Sequence, residues 1–249
     1  MAEYKNGGDF LRVVMEEMCR KQGVERWAET TPDHLLHIEA IKRTILEALI
    51  IRVIRDGREV ALSWEKRSQI ARLPWDRTRP AMAASLYWEW IVERGCQAGR
   101  QIPSDYIEVH YEDLVRNPET VLKRLEPFIE HDLNYQHIRQ AGVGSVSKPN
   151  TAFQDDGRSP IGRWQRLDVT DLDTLESLTG PTLTKLGYLL ASTAPRSHEL
   201  ARLRSAYRMY FDVKLHVKTR TWKGKWLVTG TCRGCSARRA CSIENLQDT

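Results

Sequence analysis

Arg55 and Ser63 are the two residues whose types and spacing point most directly to chemistry, because a guanidinium and a hydroxyl beside a helix start make an anion site. Arg55 closes an apolar run, Ala48 to Ile54 broken only by Arg52, and opens a charged turn, Asp56-Gly57-Arg58, that leads into a helix-compatible segment ending near Lys66. That order reads as strand, turn and helix start. A helix beginning there offers backbone N–H groups and the positive end of its dipole to an anion lying against Arg55. Ser63 follows Arg55 by eight residues, about two helical turns, so its hydroxyl can face the same anion from one side. Against this stands a simpler role for Arg55, an ion pair with Asp56 or Glu59.

Two further groups carry possible chemistry. Cys232, Cys235 and Cys241 are spaced C-x-x-C-x-x-x-x-x-C, but zinc needs a fourth ligand. No His follows His216, and Arg233, Arg238 and Arg239 crowd the run, so no metal is expected. With Cys19 and Cys96 the cysteines number five, odd and unevenly spread, unlike a disulfide framework. From Arg196 to Ala240 twelve Lys or Arg stand against Glu199 and Asp212, a local balance of +10 in a chain of net charge +5. Such a segment attracts phosphate, nucleic acid or an acidic polymer, and Tyr207, Tyr210, Phe211, Trp222 and Trp226 offer stacking faces for bases. A packed terminal helix accounts better for the first three, and no nucleic-acid motif is present, so nucleic acid is not the expected partner.

The elements that must position these residues follow along the chain. Phe10, Val13, Val14 and Met18 predict an amphipathic helix over 9–22, with Gly7-Gly8 as the linker into it. Trp27-Ala28 suits a short strand, and Thr31 or Asp33 caps a helix carrying Ile38, Ile41, Ile45 and Leu46 on one face. Residues 27–66 thus read as strand, helix, strand, helix, the pattern of a parallel sheet with helices on its faces. Pro80 starts a long helix through Leu86, Trp90, Ile91 and Val92; Trp88 and Trp90 read as core or acceptor-groove aromatics. Ile107, Val109 and Tyr111 alternate on a strand, and Asn117-Pro118 opens another helix. Residues 141–162 have no periodicity, as in a functional or disordered loop. A later helix carries Leu172, Leu175 and Leu178, is interrupted at Gly180-Pro181, and ends at Leu186-Gly187-Tyr188 with Gly187 as a left-handed cap. A length of 249 residues with 41% hydrophobic and 29% charged residues describes a globular chain with one sizeable core. No run approaches the roughly 18 apolar residues of a membrane span, and residues 1–20 have no signal-peptide core, so the cytoplasm is the expected compartment.

Four segments in order resemble the sulfotransferases that use 3′-phosphoadenosine 5′-phosphosulfate (PAPS), over about Trp27 to Tyr188. ETTPDH at 29–34 looks like the family's E-K-T-P-x-H, and RDGREVALS at 55–63 like its R-D-x-R-x-x-x-x-S nucleotide site. VHYEDLVRNPE at 109–119 looks like its Y-E-D-L-x-x-x-P motif. GRW at 162–164 and LGY at 186–188 look like the pair that ends the domain in bacterial and tyrosylprotein-type members. The resemblance implies a P-loop NTPase-like α/β domain over residues 1–195, a parallel sheet flanked by helices, followed by a basic helical extension and tail over 196–249. It implies that Arg55 and Ser63 hold the 3′-phosphate, that Tyr111 lies near the adenine, and that Lys148, Arg158 or Arg163 reaches a phosphate from a loop over 145–163. His34 and His37 fall on the acceptor side as acid or base candidates, while Asp56 and Glu112 read as capping or Arg-pairing groups. The expected partners are PAPS, with 3′-phosphoadenosine 5′-phosphate (PAP) as product, and a hydroxyl or amine acceptor on a small molecule, glycan or protein tyrosine.

The chain also departs from the family's pattern. Sulfuryl transfer needs a base for the acceptor's proton and cations for the developing negative charge. The family holds the 5′-phosphosulfate in a Gly- and Ser/Thr-rich loop after its first strand; the nearest match here is Gly7-Gly8, with no apolar strand before it. The usual base has no clear counterpart, and the lysine of E-K-T-P is Thr30. These departures lead to the expectation of a chain lacking the first strand and phosphate loop, with an unpaired sheet edge and weak or absent turnover. A non-catalytic nucleotide-binding paralogue is the alternative.

Overall fold

The computed structural model describes residues 6–66, 70–141, 161–192 and 197–220. The first helix, α1 (Gly7–Gln22), is capped by Asn6, whose side chain accepts from the Asp9 N–H at 3.0 Å. The glycine pair expected as a linker is therefore the first turn of the helix. A Cβ on Gly8 would sit 2.2 Å from Thr44 Oγ1, so glycine is what permits this close approach. Trp27 and Ala28 form no strand: flanked by Arg26 and Glu29, they carry too little apolar surface to enter a buried sheet. Pro32 begins a 3₁₀ turn (Pro32–His37) that runs into α2 (Ile38–Thr44), with Ile38 and Ala40 buried. Leu46, expected on its inner face, lies beyond the helix end and is 75% exposed.

β1 (Ile50–Ile54) is followed by α3 (Gly57–Lys66) and α4 (Pro80–Gly99), which form the crossover to β2 (Tyr106–His110). The two strands are parallel, with Ile50 opposite Tyr106 and Ile54 opposite His110, and a parallel pair requires such a long connection. Among the described residues the sheet has these two strands. Ile51 and Val53 on β1 are exposed, whereas Val109 of β2 is buried against Val121 and Leu125. After β2 come α5 (Tyr111–Arg116), α6 (Pro118–Ile129), α7 (Tyr135–Ala141), α8 (Val169–Lys185) and α9 (His198–Arg220). Val121 and Leu125 belong to α6, which starts at Pro118 as the sequence predicts.

α4 is the centre of the molecule, buried from Ala81 to Leu86 and again from Trp88 to Val92. A helix apolar on nearly all sides must be surrounded, and α3, α8 and α9 surround it. Trp90, Leu175, Leu178, Tyr207 and Phe211 meet in one core. α8 runs through Gly180-Pro181, which the sequence marks as a break. Beyond the proline, Thr182 and Leu183 are buried, and Thr182 Oγ1 donates to Glu89 at 2.7 Å. That packing offsets the roughly 3 kcal/mol that an interior proline costs a helix. The helix stops as expected: Gly187 has φ +84°, Gly187 N–H bonds Thr184 O at 3.0 Å and Tyr188 N–H bonds Leu183 O at 3.0 Å, the paired bonds of a left-handed stop. Among the described residues no helix is long and apolar enough to cross a membrane.

Candidate functional site

The C-terminal ends of β1 and β2 bring together residues 55–59 and 110–112. Arg55 lies with its guanidinium carbon 4.5 Å from the centre of the Tyr111 ring, so two of the three expected nucleotide-site residues meet. Tyr111 opens α5 and is not on the strand. Ser63 is half-buried on α3, one helical turn beyond Glu59 and on its face. Glu59 Oε2 in turn stands 3.7 Å from Arg55 Nη2. Arg55, Glu59 and Ser63 therefore line one stripe. The helix N-terminus contributes less than the sequence suggests, because Asp56 Oδ1 already accepts the Arg58 N–H at 2.9 Å.

Adjacent residues face a second direction. Asp56 N–H donates to Glu112 Oε1 at 2.9 Å, and the Asp56 carboxylate takes Arg58 Nε and Nη2 at 3.0 and 2.7 Å. Arg58, 2% exposed, also donates to Glu176 and to Leu189 O, and stacks 3.6 Å over Trp164. Burial alone would lower its pKa, but hydrogen bonds and charge from Asp56 and Glu176 raise it above the ordinary arginine value. Asp56 thus caps the turn and pairs with Arg58, as its sequence context suggests, whereas Glu112 meets the Asp56 N–H and the Tyr188 hydroxyl and, among the described residues, not an arginine. The sequence reading passed over Arg58; its only signal was the second arginine of the R-D-x-R segment.

Asp56, Arg58, His110, Glu112, Trp164 and Tyr188 line a cleft of about 610 Å³. Tyr188 O–H donates to Glu112 Oε2 at 2.9 Å. Burial and the Glu112 charge push its pKa up, so the phenol keeps its proton. Its oxygen can then only accept from His110 Nδ1, 3.2 Å away, so that contact needs a proton on Nδ1. Gly162 and Trp164 of GRW, and Leu186, Gly187 and Tyr188 of LGY, line this cleft.

Arg163, one of three loop arginines or lysines expected near a phosphate, reaches the first stripe. Its Nε donates to Glu59 Oε2 at 2.8 Å, and Trp164 N–H donates to Glu59 Oε1 at 3.2 Å. Lys148 and Arg158 lie outside the described residues, as do Cys232, Cys235 and Cys241. Of the two histidines, His34 has an orienting carboxylate, with Nδ1 2.5 Å from Glu29 Oε2. Burial would raise the Glu29 pKa, but hydrogen bonds from Thr31 and the neighbouring His34 hold it below the ordinary value. His37 is kept below its ordinary value by burial, with Lys218 and His34 adding repulsion.

The family model described as the sulfotransferase family matches residues 6–135. The chain belongs to the sulfotransferase family. The match spans α1 through the start of α7, and so includes both strands, Arg55, Ser63 and Tyr111. No curated protein matches the chain. The helix-rich α/β chain, with a small parallel sheet of two strands among the described residues, is consistent with the P-loop-like fold of the sulfotransferase family. Among the described residues no cluster of His, Cys, Asp and Glu could hold a metal ion.

Proposed function

We propose that this chain binds PAPS by its 3′-phosphoadenosine end and transfers the sulfuryl group to a hydroxyl acceptor. The supporting observation is Arg55 over Tyr111 at the carboxyl ends of two parallel strands, with Ser63 on the same stripe of α3. Open α/β sheets receive ligands outside the carboxyl ends of their strands. The guanidinium fork suits two phosphate oxygens, the hydroxyl adds a donor, and the aromatic ring offers a face to a purine. His34, oriented by Glu29 as a carboxylate orients a catalytic imidazole, takes the acceptor's hydroxyl proton at Nε2. The acceptor oxygen forms its bond to sulfur as the bond between sulfur and the 5′-phosphate oxygen breaks, and PAP leaves with that electron pair. Thr30, in place of a lysine beside the transferred group, favours a second reading in which the nucleotide binds without turnover.

Calorimetry with PAP and with adenosine 5′-phosphate tests the donor site. The expected result is a PAP preference of at least about tenfold, from charge-assisted bonds to the 3′-phosphate, that disappears in Arg55→Ala. Equal binding of the two nucleotides by the unaltered chain sinks the donor reading. Transfer of labelled sulfate from PAPS to a panel of alcohols, glycans and tyrosine peptides then separates the two readings.

A further inference from the structure

Glu59 is 1% exposed, and a buried carboxylate persists only where its charge is met. It is met from both sides. Arg163 Nε donates at 2.8 Å and Trp164 N–H at 3.2 Å from a segment more than 100 residues downstream, while Arg55 Nη2 stands at 3.7 Å from the turn before α3. Arg163 Nη2 adds a bond to the Glu59 carbonyl at 3.4 Å. The carboxylate is enclosed, yet the arginine side chains remain 25% and 35% exposed. Two guanidinium groups therefore open toward solvent around one buried negative charge, beside the helix stripe that carries Ser63. Without that charge Arg55 and Arg163 would repel each other, and Arg163 would have no anchor on α3.

Resting on the donor reading above, we propose that Glu59 is a positioning residue. It holds Arg163 beside Arg55, so that two guanidinium groups address the nucleotide's 3′-phosphate, and it thereby sets the selectivity for 3′-phosphorylated nucleotides. A doubly charged phosphate rewards a pair of forks over a single one.

The test compares PAP and adenosine 5′-phosphate by calorimetry in the full chain, in Glu59→Gln, in Arg163→Ala and in the double variant. The ratio of the two affinities cancels a general loss of folded protein, which a merely structural role would produce. The expected result is a PAP preference reduced about tenfold in each single variant, adenosine 5′-phosphate affinity unchanged, and no further loss in the double variant. A Glu59→Gln chain that keeps or increases the PAP preference overturns the proposal, as do additive losses in the double variant. Should Glu59→Gln fail to fold, Arg163→Ala decides alone, and an unchanged ratio there counts against the proposal. Absence of any PAP preference in the unaltered chain removes the donor reading itself, a distinguishable result.

Discussion

Single residues near the turn differ in how far the protein encloses them. Arg55 is partly exposed, with an aromatic ring beneath it, whereas Arg58 is enclosed by Asp56, Glu176, Leu189 O and Trp164. Removing Arg58 strands two buried carboxylates, so Arg58→Ala is expected to cost about 3–5 kcal/mol in urea unfolding, more than Arg55→Ala, which leaves Glu59 its bonds from Arg163 and the Trp164 N–H. A second prediction concerns acid. Glu65 accepts from Arg79 Nε and Nη2, both at 2.7 Å. Those bonds chiefly hold its carboxyl below the ordinary 4.5; burial opposes them, and the Arg79 charge and the Ala81 N–H add to them. With the folded value below the unfolded one, the stabilisation is fully present above about pH 4.5 and is lost as pH falls through the depressed folded value. Glu65→Gln should therefore lose stability less steeply than the parent below that pH, and identical slopes in urea titrations would contradict the assignment.

Elements meet where glycines allow it, and the glycines are not equivalent. A Cβ on Gly57 would fall 2.4 Å from Trp88 Cε3 at the junction of α3 and α4. Gly57→Ala should push those helices apart and cost about 1–3 kcal/mol by overpacking. Gly187 has open space around it but φ +84°, so Gly187→Ala should cost only the left-handed penalty of about 1–2 kcal/mol. Thermal melts separate the two, because crystals or near-ultraviolet spectra of the Gly57 variant should show a disturbed Trp88 and those of the Gly187 variant should not. The left-handed stop at Gly187 was legible in the sequence because a positive φ is a local demand. The passage of α8 through Pro181 was not, because packing of Thr182 and Leu183 on α4 decided it.

At the scale of the molecule, α9 closes the core around α4. Tyr207 is fully buried, donates to Asp76 Oδ2 at 2.6 Å and accepts the Leu73 N–H at 3.0 Å. Tyr207→Phe keeps the packing and leaves both partners unmatched, for an expected loss of about 1–3 kcal/mol in chemical denaturation; no loss would mean that α9 docks by its apolar face alone. The basic composition of this segment was plain in the sequence, but its destination was not, since Arg204 pairs with Glu89 and Arg94 with Asp212 only once the helices are packed. By itself the sequence determined the strand, turn and helix of Ile50 to Lys66, the helix starts at Pro80 and Pro118, the stop at Gly187, and the order of motifs that marks the sulfotransferase family, because periodicity, capping and short-range spacing are local properties. Only the tertiary structure decided that Arg58 holds the turn, that Glu59 gathers Arg55 and Arg163 onto one face, and that the Tyr188 hydroxyl joins Glu112 and His110. Each of those rests on a buried charge or hydrogen bond whose partners lie scores of residues apart, and no local pattern encodes which of them will meet.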